Sequence, residues 1–245
     1  MLASLPWVVD RAYKRGRQAV NFTRLRGDLV LTDTLLFPDF GLVEARMDVL
    51  RSVFEKVNPR FFINPRDLRV NSTDNLGDLR LTASAFGGLG RVEISPTFLE
   101  IRLETLRTKS DWDVAEEFSG LVEEGVRARW PAEGTTSRSV SRFVHLERKP
   151  DFDVGAFLRG LVSDPARLDP SKFGSTGLDY GIHVKLTGED QHTELLIDRS
   201  VAPEGSLFLH CATTYERDIP AAKDALRRSD GQMRSLLSAF GVEIS

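Results

Sequence analysis

The feature that most constrains the fold of this chain is an internal repetition in the order of its strand-like and helix-like segments. The tripeptide Pro38-Asp39-Phe40 recurs as Pro150-Asp151-Phe152. Each copy follows an apolar run rich in strand formers and precedes a helical pattern. An internal repeat dictates architecture, because each copy must fold as the same unit. One tripeptide is a weak signal by itself, so the repeat rests on its flanking segments.

The first copy predicts a strand, a helix, a set of short strands and a long helix. A strand-forming run covers Leu29 to Leu36. After the tripeptide, apolar residues spaced four, three, four and three apart indicate an amphipathic helix with one apolar stripe: Val43, Met47, Leu50, Phe54 and Val57. Alternating segments at 79–82, 91–94 and 99–104 then predict an antiparallel meander. A long helix begins at Ser110-Asp111-Trp112-Asp113.

The second copy repeats this order. A strand-forming run covers Val140 to Leu146, and a shorter helical stripe covers Val154 to Val162. Three alternating segments follow, at 182–186, 194–197 and 207–215. A second long helix begins at Asp218-Ile219-Pro220, where proline suits the first turn.

These patterns predict an α+β fold made by tandem duplication of a β-α-β(3-4)-α unit, with antiparallel sheets and the long helices on one face. The predicted segments are an N-terminal arm over 1–27, a first repeat over 28–130, a linker over 131–139 and a second repeat over 140–245. Two unrelated α+β halves are the alternative.

This order of elements resembles the fold of the TATA-box-binding protein and of the wider helix-grip group. In those proteins a curved antiparallel sheet wraps a long helix, and two copies form a saddle. The resemblance covers most of the chain but involves no sequence motif. It therefore implies a fold with one free sheet face and transfers no residue role.

The residues on the sheet face predicted to be open carry balanced charges. They are Arg80, Arg91, Glu93, Glu100, Arg102 and Glu104 in the first repeat, and His183 and Lys185 in the second. Opposite charges on neighbouring strands stabilise a solvated sheet. We find no apolar wedge of the kind that opens base steps in DNA. With a pI near 5.9, we expect this face to contact a protein and not duplex DNA.

Basic residues are concentrated in the N-terminal arm, where Asp10 is the sole acid. They are Arg11, Lys14, Arg15, Arg17, Arg24 and Arg26. The net charge of −3 is therefore a cancellation between this arm and an acidic remainder. Three interpretations compete: a surface helix packed on the body, an arm that docks on an acidic subunit, and a contact for nucleic acid or another polyanion.

The sequence has none of the standard local signatures of catalysis or cofactor binding. The Walker loop, the dinucleotide-binding glycine motif, H-E-x-x-H, C-x-x-C and G-x-S-x-G are missing, and we expect no cofactor and no metal. An alternative brings His183, His210 and Cys211 together as zinc ligands. An enzyme would need a site built from scattered residues such as His183, His210 and Asp198.

The cysteine content and the distribution of apolar residues predict the cellular compartment of the protein. The single cysteine, Cys211, excludes an intramolecular disulfide and favours a reducing compartment. No apolar run reaches the roughly 18 residues of a membrane span, and the first residues lack the pattern of a secretory signal. We expect a cytoplasmic protein.

The function predicted from these features is that of a non-catalytic interaction protein. It would assemble with itself or with a larger complex through the open sheet face and the basic arm. The alternatives are a helix-grip protein that holds an apolar small molecule between sheet and helix, polyanion binding through the arm, and an enzyme without local motifs.

Overall fold

Two long strands from the two halves of the chain lie side by side at the centre of one large sheet. The computed structural model describes residues 20–71, 75–131, 134–147, 153–161, 181–200 and 206–244. The central strands are β1 (Val20–Leu35) and β6 (Thr135–Glu147), which pair antiparallel from Thr23↔Glu147 to Leu35↔Thr135.

Shorter strands and four α-helices complete the described fold. In chain order the other strands are β2 (Leu68–Asn71), β3 (Arg80–Ala85), β4 (Gly90–Ser95), β5 (Phe98–Leu106), β7 (Ile182–Thr187), β8 (Gln191–Arg199), β9 (Leu207–Tyr215) and β10 (Val242–Ile244). The helices are α1 (Gly41–Val57), α2 (Lys109–Arg127), α3 (Val154–Leu161) and α4 (Ala222–Ala239). None of the helices in the described residues is long and apolar enough to cross a membrane.

The sheet order is β2-β3-β4-β5-β1-β6-β9-β8-β7. Every neighbouring pair in this row is antiparallel, while β10 pairs parallel with the first residues of β1. Along the inner strands, buried residues alternate with partly exposed ones, because successive side chains point to opposite faces. The predicted α+β class with a large antiparallel sheet and helices is confirmed.

The helices and the buried residues of the strands share one hydrophobic core. From α2, Trp112, Phe118 and Val122 enter it, and from β6, Val140 and Val144 do so. Helix α4 completes this layer through its contacts with α2, β6 and β9. The helices therefore cover one face of the sheet, and the alternate residues of the strands form the other.

Two predicted boundaries differ from the structure. Strand β1 begins at Val20 and pairs with β6 and β10 from its first residues, so the predicted limit of the arm at residue 27 falls inside a central strand. Strand β6 begins at Thr135, inside the predicted linker 131–139. In both places backbone pairing across the sheet extends a strand beyond its apolar run, because ladder hydrogen bonds do not depend on side-chain type.

The helix starts follow from local hydrogen bonds. The N-cap of α1 is Phe40, and the preceding Asp39 accepts the N–H of Gly41 through Oδ1 at 2.9 Å and that of Trp130 Nε1 through Oδ2 at 2.6 Å. Helix α2 is capped by Thr108, not at Ser110 as predicted. Thr108 and Asp111 form a reciprocal capping box, which satisfies two backbone donors at once. The second tripeptide, at 150–152, lies outside the described residues.

A buried ionic network joins the central strands to the long helices. Arg138 is fully buried and donates from Nε and Nη2 to the two carboxylate oxygens of Asp33, each at 2.6 Å. It also donates to Glu123 of α2 at 2.7 Å and to the Pro220 carbonyl at 2.6 Å. Burial alone raises the pKa of Glu123, but the Arg138 guanidinium, the Ala222 N–H and Arg127 together outweigh burial and hold that pKa below its usual value. Glu123 Oε2 in turn accepts the N–H of Ala222, the first residue of α4, at 2.6 Å.

We predict that Arg138→Leu lowers the free energy of unfolding by about 3–5 kcal/mol, because the buried Asp33 carboxylate loses its paired cation and Glu123 keeps only its ion pair with Arg127 at 2.9 Å. Urea denaturation measures this loss. The control is Arg102→Leu, whose side chain is 47% exposed, and which we expect to change stability by less than about 1 kcal/mol. Equal effects from the two variants would contradict a special role for the network.

A second prediction concerns the crossing of α1 and α2. A Cβ on Gly125 would lie 2.7 Å from the Val53 Cα and 3.1 Å from the Ser52 carbonyl oxygen. Gly125→Ala should therefore lower the free energy of unfolding by about 1–3 kcal/mol through overpacking. On the same helix, a Cβ on Gly120 meets nothing closer than 3.9 Å. Gly120→Ala should stabilise by about 0.5–1 kcal/mol, as usual within a helix. Urea denaturation of both variants measures this difference in the free energy of unfolding. A higher stability of Gly125→Ala than of the parent would contradict the prediction.

Candidate functional site: the open face of the sheet

The residues predicted to line an open sheet face lie on β3, β4, β5 and β7, on the side away from the helices. They alternate along those strands with core residues such as Leu81, Val92 and Ile101. The eight residues are Arg80, Arg91, Glu93, Glu100, Arg102, Glu104, His183 and Lys185. Their part in binding a partner stays a prediction.

Ion pairs within this face neutralise most of its charges. Arg91 Nη2 lies 2.7 Å from Glu93 Oε2, and Arg102 Nη2 lies 3.2 Å from Glu100 Oε1. On the other half of the sheet, Lys185 Nζ lies 2.8 Å from an oxygen of Glu194, and the Lys185 hydrogen bond and charge lower the Glu194 pKa. Exposed pairs of this kind add little stability. Together they leave the face with neither positive nor negative charge in clear excess.

An aromatic strip occupies the same face on β6 and β9. It consists of Phe143, His145, Phe208 and His210. The Phe143 and His210 rings are parallel with centroids 4.4 Å apart, and the His145 and Phe208 ring centroids are 5.3 Å apart. Each member is partly exposed and alternates with a buried residue of its strand. Stacked rings at these distances form a rigid apolar surface.

The strip was not found by sequence reasoning, although a signal for it exists. Phe143 and His145 alternate with the apolar Val144 and Leu146, so their strand has apolar residues on both faces. Such a run is typical of a fully buried strand. The strip becomes apparent from the pairing register of β6 and β9, because Phe143 pairs with His210 and His145 with Phe208.

Burial affects the protonation of two histidines on the strip. Burial, and secondarily the charge of Arg26, lowers the pKa of His145, whose Nδ1 lies 3.0 Å from Ser200 Oγ. Burial also lowers the pKa of His210, with Glu194 opposing the shift. Both rings are therefore held in the neutral form near pH 7, which suits an apolar contact surface.

The structure does not bring the proposed zinc ligands together. His183 and His210 both pair with Leu196, from opposite sides of β8, so an entire strand separates them. Cys211 points into the core, on the other face of the sheet, and burial raises its pKa to about 11. In the described residues no group of three His, Cys, Asp or Glu side chains is placed to hold a metal ion. Asp198 accepts from the backbone N–H of Arg199 at 2.7 Å.

The residues of the basic arm do not act as one patch in the described structure. Arg11, Lys14, Arg15 and Arg17 lie outside the described residues. Arg26 is exposed on β1, opposite His145. Arg24, also on β1, lies over the Trp112 ring with its Cζ 4.5 Å from the centroid, so it belongs to the face covered by helices.

No protein-family model matches this chain, and no curated protein is significantly similar to it.

We predict that stability falls as the pH is lowered from 7.5 to 5.5. Because the pKa values of His145 and His210 lie below the ordinary 6.5, the folded state binds fewer protons than the unfolded chain there, and stability rises with pH. The double variant His145→Asn/His210→Asn should lose part of this dependence. Urea midpoints at the two pH values measure it. His183→Asn, at a side chain 62% exposed, is the control, and an undiminished dependence in the double variant would count against the prediction.

Proposed function

We propose that this protein is a non-catalytic interaction protein that assembles through the open face of its sheet, with a second copy of the chain as the partner. The observation that carries the proposal is the aromatic strip, which lies on the central strand β6 and its neighbour β9. The helices in the described part of the chain pack against the opposite face. Partly exposed aromatic side chains grouped on one surface are typical of interface cores.

The charges on the rest of the open face support a second copy of the chain as the partner. Acidic and basic residues alternate across β3, β4 and β5 and pair with one another. A polyanion or a strongly acidic protein would meet as many carboxylates as cations on this face. A second copy presents the same balanced set, and a two-fold arrangement can place each acid opposite a base.

The protein is also proposed to be a tandem duplication with the saddle topology of the TATA-box-binding protein group. Outward from β1 the strands are β5, β4, β3 and β2, and outward from β6 they are β9, β8 and β7. Each half thus supplies one central strand and a meander running to its own edge of the sheet, with one more strand in the first half. This matching order supports a unit of β-α-β(3-4)-α used twice.

Self-association is tested by sedimentation velocity over a protein concentration series. We expect the full chain to dimerise in a concentration-dependent way. Phe143→Ser/Phe208→Ser should weaken the dimer at least tenfold, because it removes the apolar centre of the contact, where binding energy concentrates.

The matched control is Phe62→Ser, which changes an equally apolar side chain that is 77% exposed outside the sheet. This variant should dimerise like the parent, and circular dichroism checks that all three proteins are folded. A chain that remains monomeric at every concentration, or a double variant that dimerises normally, would overturn the proposed partner.

A further inference from the structure

A cavity of about 490 Å³ lies between the centre of the sheet and the two long helices. Arg24 of β1 and Arg142 of β6 contribute from the sheet, Trp112 from α2, and Asp230 and Arg234 from α4. A small molecule held between sheet and helix is one of the alternatives that the sequence patterns left open, and this cavity lies at that position. The chemistry of the cavity differs from the apolar ligand considered there, because charged groups line most of it.

The inner wall of the cavity consists of two guanidinium groups against one indole. The Cζ atoms of Arg24 and Arg142 lie 4.5 and 4.8 Å from the centroid of the Trp112 ring. Arg142 is only 2% exposed. The two guanidinium groups contact the same indole and carry like charges, so they repel each other, and the indole offsets only part of that cost.

Several donors of these three residues lack acceptors. Arg24 Nε and Nη2, Arg142 Nε and Trp112 Nε1 are buried without a hydrogen-bond partner in the described residues. Four of the seven such side-chain atoms in the described residues therefore belong to this one cavity. Buried polar groups are nearly always paired in folded proteins, so this cluster of unpaired donors indicates a missing acceptor.

The nearby carboxylates do not supply that acceptor. Asp230 accepts from Arg234 Nε at 2.7 Å and lies 3.7 Å from Arg142 Nη1. Glu116 accepts from Arg227 Nε at 2.9 Å. The side chains that line the cavity include five cations and three carboxylates, which leaves an excess of two positive charges. Burial accordingly lowers the pKa of Arg24 to about 10 and also lowers the pKa of Arg142.

The rim of the cavity adds cations, and the helix that begins there is capped by its own side chains. Arg107 and Lys109 line the mouth, and neither side chain forms an ion pair in the part of the chain that the structure describes. At the start of α2, the Asp111 N–H already donates to Thr108 Oγ1 at 3.2 Å, and the Asp111 carboxylate places a negative charge at this helix end. Binding of an anion at this cavity would therefore depend on the arginine side chains.

We propose that this cavity binds a small ligand through an oxyanion group, with Arg24 and Arg142 as its direct partners and Arg107 and Lys109 attracting it to the mouth. Guanidinium groups bind phosphate and carboxylate oxygens through paired hydrogen bonds. The volume exceeds that of a bare oxyanion and lies in the range of small-molecule sites, so the ligand carries further atoms beyond the anionic group. This site is separate from the open face and does not depend on self-association.

Inorganic phosphate is the minimal probe for the site. At low ionic strength, phosphate should raise the melting temperature of the full chain and change its tryptophan fluorescence, whereas chloride at the same ionic strength should not. Phosphate and chloride effects that are indistinguishable would overturn the proposal.

The informative variant is Arg24→Met, which keeps an unbranched stem against the indole and removes the charge. It should weaken phosphate binding at least tenfold in calorimetry. Its melting temperature without phosphate should equal or exceed that of the parent, since one of two repelling cations is gone. A purely structural arginine would instead lose stability on this change. Arg24→Lys, which keeps the charge, should recover part of the affinity.

The matched control is Arg91→Met, an arginine on the open face with a side chain 57% exposed, and its phosphate response should equal that of the parent. If phosphate stabilises Arg24→Met as strongly as the parent, the assigned site is wrong. Arg142→Met gives an independent check at the second guanidinium, with the same expected loss of phosphate binding.

Discussion

The buried ion network of Arg138, Asp33 and Glu123 is the interaction on which the rest of the structure depends. It sits where the two halves of the chain meet, because Arg138 and Asp33 are direct partners across β1 and β6. Glu123 then connects the sheet to α2 and to the first turn of α4. A buried charge without its partner is strongly unfavourable. The network therefore holds both long helices in one position over the central strands.

That position creates two surfaces of different chemistry. With α2 and α4 on one face, the opposite face of the sheet is left to the charged pairs and the aromatic strip. On the covered face, the gap between the same two helices is lined by Arg24, Arg142 and Trp112. The open face is neutralised by its own ion pairs, whereas the cavity holds arginine donors that no described residue satisfies.

Sequence patterns predicted the α+β class and the alternation along the strands well, because both depend on local periodicity. They failed for strand boundaries and for side-chain exposure, because both depend on pairing between segments that are distant in the chain. Arg24 looked like part of a basic arm, since nothing local shows that β1 extends to Val20 through pairing with β6 and β10. Phe143 and Phe208 each stand beside apolar residues of their strand, a pattern typical of a fully buried strand. Their exposure depends on which face of β6 and β9 the helices cover, and a short stretch of sequence does not indicate this.

The sequence by itself determined the strand and helix periods and the uneven distribution of charge, since each depends on residues close together in the chain. Only the tertiary structure decided which charges meet. Arg138 and Asp33 are separated by 105 residues, and Arg24, Trp112 and Arg142 come from three different elements. Burial and pairing are properties of the packed sheet and helices, and they turn these scattered arginines into a stabilising network in one place and the proposed anion-binding cavity in another.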